Sequence, residues 1–162
     1  MDPVTPDNVL IQRKNGLEDG QLFFTNPSDI FDPSNLSEPK ELPAPENAEE
    51  WVSWLQSHPY LDTSKPVPAS VGGVSGMRID VTASSTPENY PRYNCGEQPC
   101  VPLYPLIRYS GIVSIEGWTD RFVIVDVEGE TVVIDVAAPA GQFDEFAPKA
   151  EKLLEVVEWI GG

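Results

Sequence analysis

The segment "DRFVIVDVEGETVVIDVAAP", residues 120–139, constrains the fold more than any other part of the chain. Apolar side chains alternate along both halves, and the central Glu128-Gly129 is typical of a two-residue turn. This turn predicts an antiparallel hairpin with the cross-strand pairs Val125–Val132 and Val123–Ile134 on one face, and Ile124–Val133, Phe122–Asp135 and Asp126–Thr131 on the other. Because apolar groups lie on both faces, we expect full cover on one side of the sheet and partial cover on the other.

Two segments before this hairpin predict further elements. "GQLFFTN" at 20–26 is typical of a short strand, and 47–58 predicts a helix that Asn47 caps, with Glu50 at capping-box spacing. The helix is expected to present Trp51, Trp54, Leu55 and His58 on one face. Between the two segments, residues 27–45 are rich in proline and acids and predict a long loop.

Two more segments complete the predicted layers. In "VPASVGGVSGMRIDVTA", two strands flank a "GGVSG" turn, and the return strand points Met77, Ile79, Val81 and Ala83 inward and Arg78, Asp80 and Thr82 outward. The closing segment predicts an amphipathic helix whose apolar positions are Phe143, Phe146, Ala150, Leu153, Val157 and Ile160. Pro148 is expected in or near the first turn of that helix.

Together these elements predict an α+β fold with an antiparallel sheet of about five or six strands covered by two main helices. Residues 1–19 are expected to be a flexible lead-in, and residues 20–162 a single domain.

The charge of the chain disfavours some classes of partner. Twenty-six acidic against ten basic residues give a net charge of -16, which disfavours nucleic acid and anionic lipid. Because no apolar run approaches the roughly 20 residues of a membrane span, we expect no membrane insertion of this chain. The first residues also lack the pattern of a signal peptide.

Cys95 and Cys100 are the only cysteines, in "NCGEQPC". Their spacing is not that of a thioredoxin-type redox centre, and a structural zinc site needs four ligands, of which His58 could add only one. A disulfide that closes a short loop fits the flanking prolines better. Such a bond persists in oxidising compartments, so the pair favours an extracytoplasmic protein, with any export signal or anchor outside this chain.

For His58 and for the acids of the hairpin, a structural role is better supported by the sequence than a catalytic role. His58 is the only histidine, and its place at a helix end favours an interaction with free carbonyl groups over catalysis with Ser53, Ser57 or Asp62. Asp126 and Asp135 share a hairpin face, but coincidence explains them best in so acidic a chain. We therefore predict no catalytic residue.

Other residues could hold a ligand. Asp29, Asp32 and Asn35 lack the spacing of a calcium loop, so no metal or other cofactor is predicted. Tyr93, Tyr104 and Trp118 are the residues expected to contact a ligand or a partner, since such rings offer apolar area with a polar tip. Tyrosines around the cysteines could equally pin a loop onto the sheet.

Several segments resemble a family of uncharacterised exported actinobacterial proteins, in which such a domain stands on the cell surface or in a lipoprotein. The resemblance covers roughly residues 20 to 160 and lies in "WLQSHP", "CGEQPCVPLYPL" and "FDEFAPKA". More loosely, the closing strand–EGE–strand–FDEF–helix pattern is similar to PsbP-like α/β/α sandwiches, which serve mostly as binding or accessory modules. Neither resemblance implies an activity or a catalytic residue.

The sequence therefore predicts a non-enzymatic extracytoplasmic binding or accessory domain, whose partner is a small molecule, an envelope component or a protein. Two alternatives stay open. One is a small hydrolase that uses acidic residues, with or without a divalent cation, and the other is a purely structural surface module.

Overall fold

A computed structural model describes residues 8–12, 20–34, 40–84, 99–105 and 111–159, the first range by its backbone alone. The strands are β1 (Asn8–Gln12), β2 (Gln21–Thr25), β3 (Asp29–Phe31), β4 (Glu41–Pro43), β5 (Leu61–Thr63), β6 (Val67–Val71), β7 (Val74–Ala83), β8 (Cys100–Tyr104), β9 (Ile112–Ile115), β10 (Trp118–Val127) and β11 (Glu130–Pro139). The helices are α1 (Ala48–Ser57) and α2 (Ala140–Glu155).

A seven-stranded antiparallel sheet forms the centre of the fold. Its strand order is β1-β2-β11-β10-β7, and β5 and β6 share the free edge of β7. Two small hairpins, β3–β4 and β8–β9, lie outside this sheet. The predicted α+β class is confirmed, with an antiparallel sheet and two helices.

The central hairpin β10–β11 has the predicted register, with Val125 opposite Val132 and Phe122 opposite Asp135. Glu128 and Gly129 have φ values of 51° and 84°. Positive φ at both central residues is the geometry of the turn that matches the twist of two paired strands, which explains why this local signal predicts the pairing correctly.

Helix α1 begins where its capping residues predict. Asn47 Oδ1 accepts a hydrogen bond from the Glu50 N–H at 2.9 Å, and Glu50 Oε2 accepts one from the Glu46 N–H at 2.9 Å. Trp51 and Leu55 are each 1% exposed and pack on one face of the sheet. The cap and the apolar stripe therefore agree on one helix position.

Helix α2 differs from the prediction because it begins at Ala140 and contains Pro148 well inside it. Proline removes one backbone donor from the helix, so the extended first turns depend on tertiary contacts. The buried residues are Phe143, Ala147, Ala150 and Leu154, whereas the predicted Leu153 is 47% exposed. The buried stripe is thus rotated from the expected one, and the predicted Ile160 lies outside the described residues.

Two other predictions on the chain need correction. The β6–β7 turn is only Gly72-Gly73, with φ values of 54° and 81°, because Val71 already pairs with Val74. Residues 27–45 are not simply a loop, since β3 and β4 pair within them.

Strand β1 lies within the predicted lead-in, where it pairs with β2. The domain boundary itself stays a prediction.

Both faces of the sheet are covered. Helix α1 and the two small hairpins cover one face, where Phe122, Ile124 and Ile79 lie at the centre of the apolar cluster. Helix α2 covers the other face, over Val123, Val125 and their neighbours. In the described part of the chain, neither helix is long and apolar enough to cross a membrane.

An ion-pair network fastens α2 to the sheet. Arg121 donates to both carboxylate oxygens of Asp80, at 2.7 and 3.1 Å, and to Glu151 Oε1 at 2.6 Å. Arg78 donates to the same Glu151 oxygen at 2.6 Å, and the Arg121 guanidinium lies 5.2 Å from the centre of the Phe143 ring. The side chains of Arg78 and Asp80, which were expected to face outward, therefore anchor the second layer.

Candidate functional site

A cavity of about 150 Å³ lies between the β8–β9 hairpin and the central sheet. The described residues that line it are Gln21, Phe23, Gly111, Ile112, Val113, Ile115, Trp118, Asp120, Asp135 and Ala137. These residues come from β2, β9, β10 and β11 and from the residue before β9. The wall is mostly apolar, with two carboxyl groups in it, which is the usual composition of a small-molecule site.

Strand register brings the two carboxyl groups together. Asp120 is opposite Ala137, and Asp135 is opposite Phe122, so the two acids are diagonal neighbours on one face of adjacent strands. Their side chains are within hydrogen-bonding reach of each other. Asp120 is only 1% exposed and Asp135 only 3% exposed. Two acids are therefore held in contact away from water.

Burial raises the pKa of both carboxyl groups. The pKa of Asp120 rises to about 6, chiefly because desolvation disfavours its charged form, while Asp135 and Ser114 oppose part of that rise. The pKa of Asp135 is raised well above its ordinary value by desolvation and by the charge of Asp120. Two interacting acids lose their protons in separate steps, so the pair retains a proton at neutral pH.

Both acids keep an unused acceptor atom. Among the residues that the structure describes, Asp120 Oδ2 and Asp135 Oδ1 find no hydrogen-bond donor. Ser114 lies close enough to lower the pKa of Asp120, yet its Oγ forms no well-aligned hydrogen bond with a described residue. An unmet buried acceptor costs about 1–3 kcal/mol and more when charged, so a donor to these oxygens is favoured, whether the nearby Ser114 hydroxyl, a water or a ligand supplies it.

A neutral tyrosine lies near the pair. Thr25 Oγ1 donates its only proton to the Val133 carbonyl at 2.8 Å, so the Tyr104 hydroxyl must be the donor in its 3.1 Å hydrogen bond with Thr25 Oγ1. Burial and the charges of Asp135 and Asp120 raise the pKa of Tyr104 well above its usual value. Tyr104 therefore keeps its proton and adds no charge.

The structure places the sequence-predicted residues in different surroundings. Trp118 is half-buried and lines the cavity. Tyr104 is 1% exposed and packs edge-on against Trp51, with ring centres 5.5 Å apart. Cys100 is buried on β8, whereas Tyr93 and Cys95 lie outside the described residues. The predicted disulfide between the two cysteines therefore stays a prediction.

Asp126, the acid that shares a hairpin face with Asp135, has a structural role. Its carboxylate accepts from the Ala48 N–H at 3.2 Å and from Thr131 Oγ1 at 2.8 Å. These bonds satisfy the first turn of α1, where negative charge is favoured. The partner of Asp135 is instead Asp120, which sequence reasoning missed. One signal pointed to it, since Asp120 occupies a position that alternates in phase with the apolar Phe122 and Ile124.

His58 is also a structural residue. It is 3% exposed, and burial lowers its pKa to about 4. Its Nδ1 accepts from the Tyr60 N–H at 3.2 Å, so the expectation that its side chain binds free carbonyl groups is wrong. The nearby Ser57 Oγ donates to the Trp54 carbonyl at 3.0 Å. His58 Nδ1 therefore serves the turn after α1, and the buried Nε2 of His58 has no hydrogen-bond partner among the described residues.

The acidic loop after β3 uses its carboxylate locally. Asp32 Oδ1 accepts from the Ser34 N–H at 2.9 Å and from Ser34 Oγ at 2.6 Å. These bonds lower the pKa of Asp32. Within the ranges that the structure describes, no group of three or more metal-ligating side chains occurs, and Asn35 lies outside them.

The cavity with its two carboxyl groups is therefore the candidate site. Neither a protein-family model nor a curated protein matches the sequence.

Proposed function

We propose that the chain is a non-enzymatic extracytoplasmic binding or accessory domain, and that the cavity beside Asp120 and Asp135 is its ligand site. One observation carries this proposal: two buried carboxyl groups in contact, each with an unused acceptor oxygen, line a small apolar cavity. Buried acceptor oxygens without donors reduce stability, and proteins keep such costs mainly at functional sites.

The position of the site supports binding by a preformed pocket. Four strands supply its wall, and the acids lie on the central hairpin, whose residues are among the most buried. Side chains on paired strands hold their positions better than side chains on loops. A ligand would therefore meet fixed acceptors and fixed apolar surfaces.

The extracytoplasmic part of the proposal depends on the two cysteines and on the resemblance to exported actinobacterial domains. Cys100 lies on β8, the strand that pairs with the cavity-lining β9. A bond from Cys95 to Cys100 would tie the chain before β8 to this wall. Intact mass should increase on reduction by about two hydrogen masses, and quantitative thiol labelling of unreduced protein would contradict the bond.

A cavity-filling variant tests the ligand site. Ala137 lines the cavity and is 6% exposed, so Ala137→Leu should occupy the space without adding a charge. Ligand-observed NMR with a fragment library should find compounds that bind the wild type and not Ala137→Leu. Ala140→Leu, at an exposed position of α2, is the matched control and should bind like the wild type.

The opposite results have clear meanings. Fragments that bind both variants equally would place the ligand elsewhere. A library without any hit would favour a purely structural surface module. Thermal unfolding of each variant shows whether a loss of binding comes from a loss of fold.

The contact between the two acids also supports a second candidate, a small hydrolase. A carboxylate beside a protonated carboxyl group can accept a proton from water while its partner donates one to a substrate carbonyl. This candidate predicts turnover of small esters or amides that falls in both Asp120→Asn and Asp135→Asn. Binding without turnover would leave the accessory function.

A further inference from the structure

We infer that the ligand of this cavity is a small organic monocation, an amine with a compact apolar body. The inference rests on the proposed function, because it names the ligand class of the same site. It is carried by the charge, the unused acceptors, the lining and the volume of the cavity.

The described residues of the wall carry charge of one sign. Asp120 on β10 and Asp135 on β11 are the acids that face it, with the neutral Tyr104 on β8 nearby. Among the described residues, no lysine, arginine or histidine lines it. The neighbouring Arg121 lies on the opposite face of the sheet, bound to Asp80 and Glu151. The described part of the wall therefore supplies acids and no compensating cation, which favours a ligand that carries a positive charge.

The Asp120–Asp135 pair favours a ligand with one positive charge over a ligand with two. Burial raises the pKa of both acids, that of Asp120 to about 6, so near neutral pH the pair carries about one negative charge and one proton. A monocation neutralises this state. A divalent metal ion would leave one positive charge uncompensated in this state.

The unused atoms match the donors of an amine. An ammonium group has up to three N–H donors and no acceptor, and Asp120 Oδ2 and Asp135 Oδ1 both await a donor. Hydrogen bonds between an ammonium group and a carboxylate are roughly twice as strong as neutral ones. The same ligand group would thus satisfy both the charge and the acceptors.

The rest of the cavity suits an apolar body. Phe23, Ile112, Ile115 and Trp118 contribute to the wall, and aromatic rings attract a nearby cation as well as apolar groups. A volume of about 150 Å³ is comparable with an engineered apolar cavity that binds benzene. The net charge of -16 also concentrates small cations at the surface and steers them inward.

Three probes of one shape test the ligand class on the full chain. Benzylamine is the cation, benzyl alcohol the neutral analogue and benzoate the anion, each titrated by NMR at pH 7.5 in constant salt. We expect benzylamine to bind at least about tenfold more tightly than the alcohol, since a desolvated ion pair is worth more than a neutral hydrogen bond. Benzoate should not bind.

Variants and pH sharpen this test. Asp120→Asn and Asp135→Asn should each weaken benzylamine binding about tenfold or more, while Asp144→Asn, at an exposed site on α2, should leave it unchanged. Because the pKa of Asp120 is about 6, benzylamine, which stays protonated, should bind about tenfold more weakly at pH 5 than at pH 7.5.

Each alternative outcome contradicts a different claim. Binding of the alcohol as tightly as the amine, with no change at pH 5, would overturn the cation inference and leave the ligand site in place. Failure of all three probes would also overturn it, and the fragment screen with Ala137→Leu would then decide whether the cavity binds anything. The wild-type probe series needs no variant, so it stays decisive even if an Asn variant fails to fold.

Discussion

Asp120 and Arg121 are neighbours on β10, yet their side chains lie on opposite faces of the sheet and in opposite electrostatic situations. Arg121 meets two carboxylates that compensate its charge and connect β10 to β7 and α2. Asp120 meets a second acid and a cavity. The charge of Arg121 therefore stabilises the fold, whereas the charge of Asp120 lowers the free energy of unfolding.

This difference teaches where to look for function in a very acidic chain. Acids such as Asp80, Glu151 and Asp126 have donors that explain their positions. Asp120 and Asp135 have buried oxygens without donors among the described residues. The number of acids is therefore uninformative, whereas the balance of donors around each buried acid identifies the site.

The largest expected effect is a gain in stability from Asp120→Asn at high pH. The unfolded chain loses this proton near its ordinary pKa of 3.8, whereas the folded chain keeps it to about 6. A raised pKa gives stability that is present below 3.8 and lost as the pH rises to about 6. Removing the acid should add about 3 kcal/mol to the free energy of unfolding at pH 8 and little at pH 3.5.

Urea unfolding at both pH values measures this gain. Asp144→Asn is the control, because its carboxylate is exposed on α2. Equal stability of the wild type and Asp120→Asn at pH 8 would mean that a donor or cation already compensates Asp120. Asp120 would then be a compensated charge like Arg121, and the difference drawn between the two residues would be wrong.

The second expected effect is a loss of stability from Arg121→Met. Its side chain is 16% exposed, and its removal leaves the partly buried Asp80 without this cation and Glu151 with Arg78 alone. Because these acids are 32% and 34% exposed, solvent recovers part of the cost, and we expect a loss of about 2 kcal/mol.

Arg78→Met is the matched variant for this measurement. Arg78 bonds to the same Glu151 oxygen, but its side chain is 38% exposed. A loss below about 1 kcal/mol is expected in urea unfolding at pH 7. Equal losses from the two arginines would contradict a central role of Arg121 in holding α2.

The smallest expected effect comes from Asp126→Ala, which removes the carboxylate at the N-terminus of α1. We expect a loss of about 1 kcal/mol, as for other helix caps, and no change in benzylamine binding. Asn47→Ala should have a similar effect, because Asn47 caps the same turn. An effect of Asp126→Ala on ligand affinity would mean that the two sets of acids are coupled.

Local signals predicted the elements well wherever short-range rules decide the outcome. The Glu128-Gly129 turn and strict alternation determine the register of β10–β11, and Asn47 determines the start of α1. For α2 the helix itself was predicted correctly, but its start and one buried position were not, because contacts with the sheet accommodate Pro148 and select Leu154 over Leu153. There tertiary packing outweighs the preference of a single residue.

The candidate site was only partly predictable for a related reason. The sequence predicts Trp118 as a contact residue and gives Asp135 its correct cross-strand neighbour, Phe122, but it does not indicate the contact with Asp120. Asp120 became visible only when β9 was placed near the start of β10 and β2 beside β11. These elements lie far from β10 in sequence or belong to a separate hairpin, so no local pattern indicates that they enclose an acid pair.

By itself the sequence determined the β6–β7 and β10–β11 hairpins, the first helix, the α+β class and the strong negative charge, because turn geometry, capping and side-chain alternation act over a few residues. Only the tertiary structure decided which acids have donors and which do not. The free energy of a buried charge depends on every group that surrounds it, and strand order and layer packing bring those groups together from distant parts of the chain.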